Sequence, residues 1–266
     1  MRAALAHALM VKRNALSARR IGSELRACHV SCAAAAPLPA AGTPLMPVLP
    51  DLPQTELAIV EMTNAFRKEQ RLGALKPNAA LTAAARAFAD YLGRTGKFAH
   101  EADGREPHQR AEAQGYRYCL VAENLAFNLD SRGFETSKLA FDVVEGWKGS
   151  PGHRRNMLEK NATEIGVGVM RARDRQPKFV SVQLFGRPES LKVSFAIENR
   201  TGVAVNYRLG DDSETLPARA TASHTSCTAE PLQIDKAGPA APLEPRDGDT
   251  FVLTQGAGGA IRVERK

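Results

Sequence analysis

Apolar residues recur every three to four positions in the stretch that follows residue 54, which predicts amphipathic helices. The first helix ends at Gly73, the second begins after the N-cap residue Asn78, and the third, over residues 105–114, ends at Gly115. The apolar stripes of the first two helices are Ile59, Met62 and Phe66, and Leu81, Ala85, Phe88 and Leu92. Because the second helix is rich in alanine, we expect it to lie close to a neighbouring element.

The hydrophobic period changes to that of a β-strand at residue 116. The segment YRYCLVAENLAF alternates and contains the Tyr, Val and Phe residues that favour strands. Residues 136–149 return to a helical period, with Trp147 on the buried side, and the segment SPGH then predicts a helix stop. TEIGVGVMRA and KFVSVQLFG, joined by RDRQP, predict a β-hairpin. This order of elements predicts an α+β domain in which helices cover an antiparallel sheet.

Changes in amino-acid composition and hydrophobic pattern divide the chain into three parts. Residues 1–53 combine an export-like or disordered segment with a linker rich in Ala and Pro. Residues 54–187 hold the helices and strands described above. Residues 188–266 contain short β-runs separated by Gly, Pro and Asp, which predict a small all-β domain, a sandwich or a partial barrel. It contains no catalytic motif, and His224 and Cys227 fall in a polar Thr/Ser stretch that predicts a loop.

Composition and charge argue against a nucleic-acid partner. The 266 residues are 43% hydrophobic and 24% charged, as in ordinary globular proteins. The net charge is +7, but residues 1–50 carry six Lys and Arg against Glu24 alone, so the rest of the chain is nearly neutral. A nearly neutral protein lacks the positive electrostatic field that holds a phosphate backbone, so we expect no nucleic-acid partner.

No later apolar stretch approaches the roughly 18 residues that span a bilayer, so we expect no transmembrane segment in the mature chain.

The N-terminal segment and the cysteines bear on the cellular compartment. AALAHALMV is separated from the small-residue cleavage sites in CAAAAPLPAAG by KRNALSARR, which is atypical of a secretory signal. Either translation starts elsewhere, or the export signal is unusual, or the segment is a disordered arm. Cys28 and Cys32 have no second pair of zinc ligands nearby. Cys119 and Cys227 can pair in an oxidising compartment or remain free buried thiols, and we favour free thiols.

Four polar residues stand at the ends or rims of the predicted elements. They are His100, Glu123, Glu145 and His153, and we refer to them as the tetrad. Each has a structural explanation by itself: a loop histidine, a carboxylate that faces solvent or a partner, a helix-boundary position and a residue after a helix stop. Together, two imidazoles and two carboxylates can converge in one cleft, where the carboxylates orient the rings. Such a set can bind a divalent ion such as Zn²⁺ or act in general acid/base catalysis.

Two long segments resemble bacterial members of the CAP superfamily, also called SCP-like proteins. They are FAHEADGREPHQRAEAQGYRYCLVAENLAF and VVEGWKGSPGHRRNMLEKNATEIGVGV, and the resemblance covers residues 55–187. It implies an α-β-α sandwich with a central cleft lined by the tetrad and flanked by Asn124 and Ser150. It also implies that His100 and His153 are the metal ligands in a member that binds a divalent cation. His108 departs from the family pattern and is treated as a bystander.

The resemblance implies less about activity than about fold. Members are mostly secreted, some bind sterols or lipids, some bind divalent metal through the histidines, and no enzymatic reaction is common to them. We therefore expect a protein that is secreted or located in the periplasm or cell envelope, and we predict no specific enzymatic activity. The disulfides of animal and plant members have no counterpart in this sequence.

Three functions are open on the sequence. The favoured one is a binding module whose cleft holds a small lipid-like ligand, an envelope component or a divalent metal. It is favoured because Ser150 is the only candidate nucleophile beside the tetrad, and Pro151 and Gly152 place it on a turn rather than a hydrolase elbow. The second is a metal-assisted peptidase or esterase that uses the tetrad, although H-E-x-x-H is absent. The third is a structural or adhesive role of the β-domain through its edge strands.

Overall fold

The structure is a computed structural model that describes residues 47–237 and 242–266. The predictions for the export-like segment, most of the Ala/Pro linker, and Cys28 and Cys32 lie outside the described residues. Among the described helices, none combines the length and the apolar character that a membrane-spanning segment needs.

In the described part of the chain, residues 52–188 form five α-helices and one sheet. The helices are α1 (Leu52–Glu69), α2 (Ala79–Thr95), α3 (Pro107–Ala113), α4 (Thr136–Lys148) and α5 (Pro151–Met157). The strands are β1 (Lys76–Pro77), β2 (Tyr118–Leu129), β3 (Glu164–Arg171) and β4 (Lys178–Pro188). The sheet order is β1-β3-β4-β2, and β4 is antiparallel to both β3 and β2. The predicted hairpin is therefore confirmed, and β2 is an edge strand.

Helices cover both faces of this sheet. α1, α4 and α5 pack on one face around a core that includes Ile59, Trp147 and Met157. α2 and α3 pack on the other face around Phe88 and Ala111. This is the α-β-α sandwich that the resemblance implied. The indole of Trp147 also donates a hydrogen bond to the carbonyl of Leu125 at 3.0 Å, which ties α4 to β2.

Helix caps explain where the first two helices begin. Asn78 caps α2 as predicted, since its side chain accepts hydrogen bonds from the backbone of Ala80 and Leu81. Asp51 caps α1 in the same way by accepting from the backbone of Gln54 at 3.0 Å, so this helix starts earlier than expected. The chain before it is also docked, because the backbone of Val48 bridges to the loop that precedes α4.

The segment SPGH begins a helix, although the sequence predicted only a helix stop. Pro151 occupies the first turn of α5, where the missing N–H has no partner in any helix. Ser150 has extended backbone at the N-cap, and Gly149 closes α4 just before it. The predicted stop is confirmed, since α4 ends at Lys148, but the sequence did not predict that a second helix starts directly after it. His153 consequently lies in the first turn of α5.

Two glycines allow α2 to lie directly on β3. A Cβ at Gly166 would collide with the backbone at Leu81, and a Cβ at Gly168 would collide with the backbone at Ala85. The expected close approach of the alanine-rich helix is thus confirmed, and the GVGV repeat of β3 supplies the complementary surface.

The C-terminal part of the described chain forms two further sheets. The strands are β5 (Val193–Asn199), β6 (Val205–Leu209), β7 (Asp212–Leu216), β8 (Thr221–Ser226), β9 (Leu232–Ile234), β10 (Thr250–Gln255) and β11 (Ile261–Arg265). The orders β11-β10-β5-β8 and β7-β6-β9 share one core that includes Phe195, Tyr207 and Phe251. Two sheets around one core form a sandwich rather than a partial barrel.

His224 lies in β8, so its prediction as a loop residue is wrong. Its ring stacks on Phe195 with centroids 5.1 Å apart, and its Nε2 lies 2.9 Å from the hydroxyl of Tyr207. The strand was not predicted because its residues are mostly polar, although every second one is half-buried.

Cys119 and Cys227 form a disulfide, so the preference for free thiols is wrong. The register of β2 against β4 shifts between Tyr118 and Leu120, and this irregularity leaves Cys119 outside the regular ladder. Cys227 directly follows β8. The bond therefore joins the edge strand of the α-β-α sandwich to the β-sandwich, and it is typical of an oxidising compartment.

The close contact of α2 with β3 gives a prediction about stability. Gly168→Ala is expected to lower the free energy of unfolding by about 1–3 kcal/mol, because the added methyl group must push two backbones apart. Gly146→Ala is the matched control, since nothing lies within 4 Å of a Cβ there and the position is in α4. We expect this control to be stabilising by up to about 1 kcal/mol. Urea denaturation followed by circular dichroism measures both, and equal effects of the two substitutions would contradict the packing described.

The disulfide gives a second prediction. Replacing Cys119 and Cys227 by serine is expected to lower the free energy of unfolding by about 2–5 kcal/mol, because the bond closes a loop with a sequence separation of 108 residues. Denaturation is followed by the fluorescence of Trp147, the single tryptophan of the chain. Reduced wild type should match the double variant, and an unchanged midpoint in both would refute the stabilising role.

Candidate functional site

Glu123, in the middle of the edge strand β2, is the buried centre of the candidate site. Its side chain is only 1% exposed. One carboxylate oxygen lies 2.8 Å from Nδ1 of His100, and the other accepts a hydrogen bond from Nη2 of Arg110 at 2.8 Å. A buried carboxylate is tolerated only when it is paired in this way. Both oxygens of Glu123 are therefore committed within the protein.

Arg110, from α3, extends this pair into a chain of alternating charges. Its side chain is 3% exposed, and its guanidinium stacks on the ring of Phe88 at 3.5 Å from the centroid. It also donates to the carboxylate of Asp103 at 2.9 Å. Burial raises the pKa of Asp103, but the charges and hydrogen bonds of Arg110 and Arg105 outweigh it and hold the pKa below its usual range. Asp103 thus remains ionised and supports the charge of Arg110.

His100 lies in the loop between α2 and α3 and is 20% exposed. Its contact with the Glu123 carboxylate places a proton on Nδ1 in the neutral ring, because a carboxylate only accepts. Nε2 is then the nitrogen with a free lone pair. A ring oriented in this way can accept a hydrogen bond or bind a metal ion.

His153, on α5, is half-buried and lies within electrostatic reach of His100. Burial lowers the pKa of His153, and the neighbouring His100 lowers it further. The backbone carbonyl of His153 accepts a hydrogen bond from the Asn124 side chain at 3.1 Å. Asn124 is completely buried, so this contact ties α5 to β2.

A buried network continues from Asn124 on the same face of the sheet. Its side chain bonds Gln183 of β4 at 3.1 Å and accepts from Asn156 of α5 at 3.0 Å. Gln183 in turn donates to the hydroxyl of Thr63 in α1 at 2.9 Å. Asn156 also donates to the backbone carbonyl of Glu123 at 3.0 Å. The network therefore connects α1, β4, β2 and α5 and sets the position of the helix that carries His153.

The remaining predicted residues are engaged differently. The side chain of Glu145 is 41% exposed and bonds Lys148 at 2.6 Å rather than another member of the tetrad. Ser150 occupies the N-cap of α5 but makes no side-chain capping hydrogen bond. The ring of His108 packs against Tyr118 with centroids 5.4 Å apart. The structure thus pairs His100 with Glu123, brings His153 near them, and leaves Glu145 with a neighbour on its own helix.

The donor set determines what kind of metal ion the site fits. In the two described ranges, no three His, Cys, Asp or Glu side chains are grouped as a metal site requires. Because Glu123 is committed to His100 and Arg110, the donors that remain are the two imidazoles. Two imidazoles are fewer than the four ligands of a closed structural zinc site.

Three residues that build the site were not predicted as site residues. Gln183 had a signal, because it is a polar residue within the apolar alternation of KFVSVQLFG. Arg110 had no such signal, because nothing in the sequence distinguishes it from the other charged residues of its segment. Asn156 belongs to the HRRN stretch but was not assigned a role.

Solved structures that are similar to part of this chain come from several bacteria. An outer surface protein from Borrelia burgdorferi aligns with a TM-score of 0.43 and 24% identity, over 51% of this chain and 94% of that one. An extracellular protein containing a SCP domain from Bacillus anthracis aligns with a TM-score of 0.43 and 24% identity, over 51% of this chain and 41% of that one. A cysteine-rich secretory protein from Staphylococcus aureus aligns with a TM-score of 0.37 and 23% identity, over 52% of this chain and 40% of that one.

Sequence comparison is more specific. Residues 60–185 match the family model described as "CAP: Cysteine-rich secretory protein family". The uncharacterized protein YkwD of Bacillus subtilis (strain 168) is 34% identical over 116 residues, which are 43% of this chain and 42% of that protein. The chain thus spans about two fifths of the length of this curated relative. The family match over residues 60–185, together with the bacterial relative, identifies this part of the chain as a CAP domain of bacterial type.

Proposed function

We propose that this chain is a secreted or cell-envelope protein whose CAP domain binds a small ligand in a cleft at β2, with His100 and His153 as the polar contacts. The observation that carries the proposal is the 2.8 Å contact of His100 with the buried Glu123, beside a half-buried His153. The carboxylate orients one ring, and burial keeps the other neutral, so two nitrogen lone pairs are available to a ligand.

Export is supported by two independent observations. The disulfide between Cys119 and Cys227 is typical of proteins outside the cytosol. The family whose model matches residues 60–185 is described as one of cysteine-rich secretory proteins. The proposed partner is accordingly a small molecule or component of the cell envelope.

A divalent cation such as Zn²⁺ is the ligand to test first. Two neutral imidazoles are suitable donors for such an ion, and the positions they leave open would be filled by water or by a polar group of a larger ligand. When bound, the ion would supply a positive charge that attracts an anionic group. Glu123 would act by orienting His100, and Asn124 would act by holding the backbone at His153.

Binding is favoured over hydrolysis because the carboxylates are already engaged. Glu123 is paired with His100 and Arg110, and the partly exposed Glu145 is bonded to Lys148 rather than to a histidine, so the arrangement favours neither as the base that activates water. Ser150 lies at a helix N-cap with an extended backbone rather than at a strand-to-helix elbow. No observation in the described residues favours the adhesive role of the β-sandwich over this proposal.

Zinc titration tests the proposal directly. Untagged protein is expected to melt at a higher temperature when Zn²⁺ is added, since a ligand that binds only the folded state stabilises it, by about 2.7 kcal/mol at one hundred times Kd. The double variant His100→Ala and His153→Ala should lose this shift. His108→Ala is the matched control and should retain it, because His108 lies against Tyr118 outside the proposed pair.

Zinc bound by cysteine thiols elsewhere in the chain must be distinguished from zinc bound by the two histidines. Cys28 and Cys32 are replaced by serine in a parallel set of variants, so that zinc bound near the N-terminus is counted separately. A wild type that does not respond to saturating Zn²⁺, or a double variant that responds like the wild type, would remove the metal from the proposal.

The neutral state of His153 gives a prediction for the metal-free protein. Because the pKa of His153 is lower in the folded chain than in the unfolded chain, the unfolded state takes up its proton first as the pH falls. The contribution of His153 therefore destabilises the fold progressively below about pH 6.5 and becomes constant below its folded pKa. The loss is bounded by about 1.4 kcal/mol for each pH unit between the two pKa values.

Comparison with His153→Gln isolates this contribution. Urea denaturation in EDTA at several pH values between about 8 and about 4.5, which bracket the ordinary histidine pKa, should show that the variant loses less stability on acidification than the wild type. His108→Gln should follow the wild type. Parallel curves for wild type and His153→Gln would mean that His153 is protonated as easily in the folded chain as in the unfolded one.

A further inference from the structure

We propose that the chain has a second binding site, for a small molecule that carries a phosphate or carboxylate group, in a cavity between the CAP domain and the connection that leads to β5. The cavity has a volume of about 480 Å³. Its wall includes Arg67, Lys76, Lys160, Thr163, Pro188 and Leu191. A volume of this size lies within the range of known small-molecule sites. No member of the tetrad contributes to it.

A buried arginine in the wall lacks an ion-pair partner. Arg67 is 1% exposed, and its guanidinium donates to the backbone carbonyls of Gly73, Met157 and Glu159, each at 2.9 Å. In the described ranges, no carboxylate oxygen lies within ion-pair distance of it, although the charge of Glu159 is near enough to raise its pKa. Burial outweighs that effect and lowers the pKa of Arg67. A buried cation without a paired anion is costly, so an anionic ligand at this position is favoured.

Two lysines add positive charge at the mouth of the cavity. Lys76 and Lys160 are exposed, and neither forms an ion pair within the part of the chain that the structure describes. The acidic group of the wall is Glu164, whose carboxylate accepts a hydrogen bond from the Tyr116 hydroxyl at 2.7 Å. The wall thus carries three cations against one carboxylate, and a concave surface with this balance attracts anions.

Thr163 supplies a hydroxyl without a partner. Its Oγ1 is buried and makes no hydrogen bond, whereas its backbone N–H donates to Gly186 and its carbonyl accepts from Lys76, each at 2.9 Å. Buried polar groups in proteins nearly always have a partner. Thr163 lines the cavity, so a phosphate or carboxylate oxygen that reaches this hydroxyl would provide one.

The rest of the wall is apolar and comes from the CAP domain and from the connection that follows it. Ala74 and Ala162 belong to the CAP domain, whereas Pro188 ends β4 and Leu191 lies in the connection to β5. This connection is held by Arg187, which donates to the carbonyls of Leu191 at 3.0 Å and Cys227 at 2.7 Å. The surface fits a ligand with an anionic head and a short apolar body.

Inorganic phosphate is the probe for the anionic head. Titration of the full ¹⁵N-labelled chain should shift the amide resonances of Gly73, Lys76 and Thr163, with sodium chloride of equal ionic strength as the reference. The double variant Lys76→Gln and Lys160→Gln should bind phosphate about tenfold more weakly, if each lysine contributes about twofold to fivefold. Lys97→Gln with Lys178→Gln removes the same net charge elsewhere and should leave the affinity unchanged.

Thr163→Val tests the hydroxyl without removing charge. It should weaken phosphate binding about tenfold, while thermal stability is unchanged or increased because an unpartnered buried hydroxyl is lost. The same affinity in the wild type and both cavity variants would overturn the proposal, as would phosphate-induced shifts spread evenly over the basic surface. Because the probe is an anion and the variants lie outside the tetrad, this outcome is independent of the zinc titration.

Discussion

The buried carboxylate of Glu123 is the constraint on which the candidate site depends. Its 1% exposure requires a cation, and Arg110 provides it only because α3 packs against β2. Arg110 needs its own support from Asp103 and Phe88, which involves the loop before α3 and the face of α2. Replacing a buried ion pair by apolar residues is often neutral for stability, so the pair is better explained by what it positions. The group that it positions is the ring of His100.

Glu123 and its neighbour Asn124 point to opposite faces of the same strand. Successive side chains of a β-strand point to opposite faces of the sheet, so these two residues contact different histidines. Glu123 faces the layer of α2 and α3 and holds His100, whereas Asn124 faces the layer of α1 and α5 and holds the backbone of His153. Because β2 is an edge strand, no further strand separates the two layers there. Histidines from opposite layers can therefore approach each other beside the strand, which explains why His100 lowers the pKa of His153.

The sequence predicts those features that depend on local periodicity, and it fails where one signal has two structural meanings. The stripes of α1 and α2, the strand YRYCLVAENLAF and the hairpin all follow from spacing, because each element buries one face. Pro-Gly at residues 151–152 is ambiguous because proline both stops a helix and starts one. The pairing of Cys119 with Cys227 and of Glu123 with Arg110 depends on distances in the folded chain. Side-chain chemistry alone identifies such residues as candidates but does not assign their partners.

The disulfide gives the junction between the two parts of the chain a direct relation to the site. Cys119 lies on β2, the strand that carries Glu123, and the irregular register at Cys119 separates it from the regular ladder. Cys227 follows β8, and its carbonyl accepts from Arg187 at the end of β4. Both long strands beside the site are thus connected to the β-sandwich, one covalently and one by a hydrogen bond. The β-sandwich is therefore attached to β2, which carries the Glu123 that contacts His100, and to β4, which pairs with β2.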